Sequence, residues 1–230
     1  MNGKQPWPER EVFSKGIFSA LPEREWKAAA DVIRPAFVEK RGVLYREGDE
    51  ASRVHLVGGG LVKTFKNPSG DRTQIVNILG PGEVAGAEAL SRSTYGTSAT
   101  ALSRSVVFDC ERDWFLDFMK RHPALSVTVI ESLNRENAAL RSLLCDVGTK
   151  KALPRVASCL LLFMEKQTGS GKVLPFNLPI SRQEMGAFLG LSPETVSRQL
   201  KDLTASRVIK LEHRRLTVLD VRHLKSIAQT

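Results

Sequence analysis

At 230 residues, with 42% hydrophobic residues and a mean hydropathy of −0.18, the chain has the size and composition of one or two globular domains. No run of about 18 apolar residues is present, which argues against a membrane-spanning helix, and the opening MNGKQPWPEREVF lacks an apolar signal-peptide core, so a cytoplasmic protein is expected. The net charge of +9 is unevenly placed: residues 149–230 hold 14 Lys/Arg against 6 Asp/Glu, whereas residues 1–148 hold 20 against 19. A basic excess confined to one segment is the footprint of a polyanionic partner.

Residues 1–20 form a mixed lead containing Pro6, Trp7 and Pro8. Pro22 opens an expected helix through Ile33, in which Trp26, Ala29, Ala30 and Ile33 recur at helical spacing. From Phe37 to Cys110 the pattern changes to short β-like runs, with strands expected at 36–39, 43–46, 53–57, 60–65, 73–79, 97–102 and 105–110. Gly48-Asp49, Gly58-Gly59-Gly60, Asn67-Pro68-Ser69-Gly70 and Gly80-Pro81-Gly82 punctuate them. Short strands between glycine turns read as an antiparallel sandwich or roll.

Asp113 is the expected cap of a short helix from Trp114 to Lys120, and a long helix follows from about Pro123 to Val147. Along it Ile130, Leu133, Asn137, Leu140, Leu144 and Val147 alternate by three and four, the spacing of a coiled-coil seam. Asn137 falls at an a-type position, which favours a parallel two-stranded pairing. Leu125 and Val129 lie off this seam and are expected to pack on the roll; the bland alternative is that the whole helix does so.

A further helix is expected from Thr149 to Lys166, with Pro154 tolerated in its first turn. Its run RVASCLLLFMEK would fill a core, and Gly169-Ser170-Gly171 follows as a surface loop. Two short helices then read from LPISRQEMGAFLGLSPETVSRQL. Ser181 and Glu184 make a capping box, and Met185, Phe188 and Leu189 make one apolar face. Gly190 suits a tight turn, and Ser192 with Pro193 opens the second helix. There Val196, Leu200 and Leu203 face inward, while Glu194, Ser197, Arg198 and Lys201 form the opposite face. This reads as a helix-turn-helix, whose second helix would be expected to enter the DNA major groove.

The outward chemistry fits that role. Arginine donates a bidentate pair to guanine, glutamate accepts from cytosine N4, and serine pairs with either kind of edge. Glu194, Ser197 and Arg198 are the candidate base contacts; Arg182, Gln183, Thr195 and Lys201 are candidate backbone contacts. Val208–Leu211 and Arg215–Leu219 read as the hairpin wing, with Arg214 and Arg215 near its turn placed to reach phosphates, which position a protein without reading sequence. Asp220 caps a last helix, Val221–Ala228.

Cys110, Cys145 and Cys159 and the four histidines are scattered, without metal-ligand spacing, and no metal site is expected. No paired carboxylates, Ser-His-Asp arrangement or phosphate-binding glycine loop emerges, so an enzyme is not expected.

The run ISRQEMGAFLGLSPETVSRQLKDL resembles the helix-turn-helix of the Crp–Fnr superfamily of bacterial transcription regulators, on its Fnr and FixK-like side. YREGDEASRVHLVGGGLVKTF and GDRTQIVNILGPGEVAGAEAL resemble its cyclic-nucleotide-binding β-roll. The resemblance implies an α+β fold: an antiparallel β-roll of the cyclic-nucleotide-binding jelly-roll type over residues 1–121, a dimerisation helix over 122–148 and a winged helix-turn-helix over 149–230. It further implies a homodimer, double-stranded DNA with palindromic TTGAT-like half-sites as partner, and RNA polymerase as a second partner.

The family's nucleotide cassette, G-E-[LI]-[AG]-L followed by R-[ST]-A, is degenerate here. Ala87 stands where the ribose-binding glutamate belongs and Thr97 where the phosphate-binding arginine belongs. Glu88 is adjacent, but a one-residue shift on a strand would turn it to the other face; Arg92 and Arg104 are the remaining substitutes. Fnr carries an N-terminal cysteine cluster for an iron–sulfur centre, and this sequence has no cysteine before Cys110. The expectation is therefore no cyclic nucleotide, no iron–sulfur cluster and no cofactor. Three routes of control stay open: nitric oxide sensed through bound haem, a different effector in the roll, or no effector at all. The opposing class is an enzyme, and a second alternative is a small-molecule-binding protein whose helix-turn-helix contacts only protein.

Overall fold

The computed structural model describes residues 16–22, 24–25, 33–68, 73–168 and 175–230. The Pro6–Pro8 lead, most of the helix expected over 22–33 and the loop at 169–171 lie outside the described residues.

Valine-rich runs between turns build the first eight strands: β1 (Arg34–Val38), β2 (Val43–Tyr45), β3 (Arg53–Gly59), β4 (Val62–Lys66), β5 (Gln74–Leu79), β6 (Val84–Ala85), β7 (Ser98–Ala101) and β8 (Ser105–Glu111). They form two four-stranded sheets, ordered β1-β8-β3-β6 and β2-β7-β4-β5. In the first, β8 runs antiparallel between β1 and β3, setting Val107 against Ala36 on one side and Val57 on the other. The core holds Phe18, Leu56, Val57, Val107, Phe108 and Phe115. The strand expected from residue 60 begins instead at Val62, because Gly60 takes the left-handed conformation (φ 78°) that ends β3.

Helix α1 (Arg112–Arg121) follows β8 directly. Its cap position is Glu111, not the expected Asp113, which lies inside the first turn; there its charge suits the helix N-terminus without capping it. Helix α2 (Pro123–Thr149) buries Leu125, Val129 and Ser132 at i, i+4 and i+7, as expected for the first two. It runs two residues past the expected end, and α3 (Ala152–Thr168) starts three residues later than expected, leaving Lys150 and Lys151 as the joint. Pro154 is the third residue of α3, so its missing N–H breaks no helical bond.

The remaining elements are β9 (Phe176–Asn177), α4 (Arg182–Leu189), α5 (Pro193–Ala205), β10 (Ile209–Glu212), β11 (Arg215–Val218) and α6 (Val221–Ala228). The hairpin β10–β11 gains β9 on its open edge, giving the order β10-β11-β9. Val156, Leu160 and Phe163 of α3 are fully buried, and so are Val196 of α5, Leu216 of β11 and Leu224 of α6. Residues 1–66 with 77–137 make one compact unit, and residues 67–76 with 138–230 make another.

Candidate nucleic-acid interface

Helices α4 and α5 are set by local chemistry. Ser181 Oγ accepts from the Glu184 N–H at 3.1 Å, and Glu184 Oε2 accepts from the Ser181 N–H at 2.9 Å, which closes the capping box. Gly190 ends α4 in the left-handed region (φ 65°). Ser192 Oγ accepts from the Thr195 N–H at 3.2 Å, and Pro193 opens α5. Such caps each contribute on the order of 1 kcal/mol. Gly186, absent from the expected site residues, lets α4 approach the turn closely: a Cβ there would stand 2.4 Å from the Leu191 carbonyl oxygen. Its signal was a glycine inside a short, well-capped helix.

Val196, Leu200 and Leu203 are buried, which turns the opposite face of α5 outward. On it Pro193, Glu194, Ser197, Arg198 and Lys201 line one open concavity. A second one joins Arg182 of α4 to Ser197, Lys201 and Thr204 of α5 and to Leu211 of the wing. The structure thus brings Glu194, Ser197, Arg198, Lys201 and Arg182 together. Arg198 and Lys201 are exposed and Arg182 is half-buried. Glu194 is held below the usual carboxylate range, chiefly by its own N–H at the free helix start and then by the Ser192 hydroxyl, so it is an anionic acceptor at neutral pH. Ser197 Oγ donates to the Pro193 carbonyl at 2.9 Å, leaving lone pairs to accept.

The other three candidates stand apart from both concavities. Gln183 is exposed on α4, and the Thr195 and Ser192 hydroxyls are hydrogen-bonded to each other at 3.1 Å. Arg214 sits at the wing turn, but its Nε and Nη2 donate to the Leu178 carbonyl at 3.2 and 2.9 Å. Two of its donor groups therefore tie the wing to the segment between β9 and α4.

At the degenerate cassette, Ala87–Leu90 is a 3₁₀ turn rather than a strand. The alternation expected for Glu88 does not apply there: its Oε1 accepts from Thr97 Oγ1 at 3.2 Å, so it faces the residue at the arginine position. The rings of Tyr45 and Tyr95 stack with centroids 4.0 Å apart, and their edges lie 3.2 and 2.9 Å from where a Gly86 Cβ would stand. The Tyr45 hydroxyl is buried; burial and then the Glu88 carboxylate push its pKa up, against the opposing pull of the Thr97 hydroxyl and the Gly86 backbone. The Glu88 carboxylate thus occupies the space beside Thr97.

The six seam residues divide. Ile130 is 57% exposed, Leu140 36% and Leu144 74%, and Asn137 is exposed with them. Leu133 is half-buried against the roll's core, and Val147 Cγ1 lies 3.5 Å from the position a Gly190 Cβ would take. Val127, off the seam by its helical position, is also exposed at 55%.

A capped helix pair with a polar outer face, backed by a strand hairpin, defines a winged-helix DNA-binding protein, here joined to a cyclic-nucleotide-binding type roll. Residues 154–227 match the Crp-like helix-turn-helix domain and residues 36–122 the cyclic nucleotide-binding domain. The chain is 27% identical over 203 residues to the transcriptional activator protein FnrA of Stutzerimonas stutzeri, covering 87% of this chain and 83% of that one. It is 28% identical over 211 residues to the transcriptional activator protein anr of Pseudomonas aeruginosa, covering 91% and 86%. The structure of FixK2 from Bradyrhizobium japonicum superposes with a TM-score of 0.76 at 26% identity, covering 85% of this chain and 96% of that one. The chain belongs to the Crp–Fnr superfamily, on its Fnr and FixK side, and is a DNA-binding transcription regulator rather than an enzyme. No helix among the described residues is long and apolar enough to cross a membrane.

Proposed function

We propose that this regulator works as a cytoplasmic homodimer that reads TTGAT-like inverted half-sites, without cyclic nucleotide and without an iron–sulfur cluster. In this reading residues 1–121 are the regulatory roll, 122–148 the dimerisation helix and 149–230 the DNA-binding domain, with RNA polymerase as second partner. The observation that carries it is the α5 face: Glu194, Ser197 and Arg198 line one exposed concavity with Lys201. On this face Glu194, Ser197 and Arg198 contact bases, while Arg182, Gln183, Thr195, Lys201 and Arg214 contact the backbone, Arg214 through its remaining Nη1.

The open apolar face of Ile130, Leu140 and Leu144 supports pairing with a second copy through α2. Independence from cyclic nucleotide is supported by Ala87, Thr97 and the Glu88 carboxylate facing Thr97. The cysteines support the absence of a cluster: Cys110 and Cys159 are buried, and burial pushes the Cys110 thiol up to about 12 and Cys159 in the same direction, away from the ligating thiolate. Selection from random duplex DNA by the purified protein, in air and without nucleotide, tests the reading. Two inverted TTGAT-like halves one helical turn apart are expected; no enriched motif, or an unpaired one, would overturn it.

A further inference from the structure

The joint between α2 and α3 is tied to the helix-turn-helix by two cations. Arg155 Nε donates to the Lys150 carbonyl at 2.8 Å, just beyond the end of α2, and its Nη1 donates to the carbonyl of Leu189, the last residue of α4, at 3.2 Å. Lys150 Nζ donates to the carbonyl of Ala228, the last residue of α6, at 2.6 Å and pairs with Asp146 at 2.8 Å. Three helix C-termini, each carrying partial negative charge, are thus bridged by one guanidinium and one ammonium. Both cationic residues are partly buried, with the Lys150 and Asp146 side chains 22% and 20% exposed, so solvent screens these contacts only in part. Gly190 closes the arrangement: a Cβ there would stand 3.5 Å from Val147 Cγ1 and 3.9 Å from Arg155 Nη1.

We propose that Arg155 is a positioning residue, supported by Lys150, that fixes the end of α2 against the α4–α5 turn and so sets the half-site spacing the dimer accepts. The proposal rests on the reading above, in which two α2 helices pair and two α5 helices read the operator. A guanidinium presents its N–H groups in a rigid planar fork, so the Lys150 and Leu189 carbonyls are held at one separation. A lysine keeps the charge but loses the fork. With the fork gone, the turn before α5 swings relative to the end of α2, while the reading face of α5 itself is untouched.

The test is fluorescence anisotropy of wild type, Arg155→Lys and Lys150→Met on an inverted repeat at its preferred spacing, on the same repeat with one base pair added or removed, and on a single half-site. Wild type is expected to discriminate sharply among spacings. In Arg155→Lys that discrimination should fall about tenfold, the equivalent of one hydrogen bond to a charged group, with single half-site affinity unchanged. Lys150→Met should show the same loss in smaller degree. A general loss of folding would lower half-site affinity as well, which separates positioning from mere stability. A folded Arg155→Lys protein that keeps wild-type spacing discrimination overturns the proposal. Failure of wild type itself to prefer the repeat over random DNA would instead overturn the operator reading.

Discussion

Adding one methyl at Gly186 and one at Gly148 should have opposite effects. Both glycines lie in helices, where alanine is favoured by up to about 1 kcal/mol. A Cβ at Gly148 meets nothing within 4 Å, so Gly148→Ala should stabilise, by about 0.5 kcal/mol given its place in the last turn of α2. At Gly186 the Cβ would stand 2.4 Å from the Leu191 carbonyl oxygen, where ordinary contact begins at 3.4 Å. That backbone oxygen must retreat by roughly 1 Å, an overpacking that typically costs about 1–3 kcal/mol. The Leu191 N–H already donates to the Gly186 carbonyl at 3.0 Å, so the retreat also strains that bond, worth about 1 kcal/mol. After the helix gain is set against these terms, Gly186→Ala should destabilise by about 1–3 kcal/mol. For a unit of this size each kcal/mol lowers the midpoint by about 4–8 °C. Tryptophan fluorescence would not report it, since the tryptophans stand at positions 7, 26 and 114. Hydrogen exchange over residues 176–228 is the suitable assay. If Gly186→Ala protects that segment as well as Gly148→Ala does, the close-approach argument is wrong.

Leu144→Glu and Leu140→Glu should yield folded monomers by sedimentation at micromolar concentration, because a charge in an apolar seam loses its solvation; intact dimers would remove α2 as the interface. Leu133→Glu should instead unfold the roll, since that side chain packs against its core. Titration calorimetry should detect neither cyclic AMP nor cyclic GMP: losing two charge-assisted hydrogen bonds weakens binding by about two to four decades, and micromolar affinity would point to Glu88, Arg92 or Arg104 as substitutes. His55 is buried, which lowers its pKa from 6.5 against the opposing pull of Asp109, 3.3 Å away. The unfolded chain then takes up the proton first, so stability is complete above 6.5 and falls as pH drops below it. His55→Phe, which keeps a ring beside Tyr45, should flatten that slope; an unchanged acid limb would assign it to other groups.

The helix-turn-helix was legible because its determinants are local. Ser181 with Glu184, Gly190, and Ser192 with Pro193 each act within four residues, and the inward face of α5 follows from a 3.6-residue period. What escaped reading depends on tertiary contact. Gly186 matters only once the α4–α5 crossing exists, and Arg155 acts on Leu189, 34 positions away. Glu88 faces Thr97 because a 3₁₀ turn forms where the local sequence reads as a strand. Along α2 the 3-4 spacing marked a seam, but which side chains the roll claims, Leu133 among them, is decided by packing. The two-residue strands β6 and β9 are too short to carry a periodic signal.

The central claim is that α5 reads bases through Arg198. A double-mutant cycle tests it: wild type and Arg198→Ala, each bound to the TTGAT palindrome with its guanine intact or replaced by 7-deazaguanine, which lacks the N7 acceptor. Arg198→Ala should cost roughly 1–3 kcal/mol and the base change less, and the two together little more than Arg198→Ala alone, because 7-deazaguanine removes one of the two bonds the arginine makes. Additive losses, or an Arg198→Ala protein that still distinguishes the two operators as wild type does, would contradict the account.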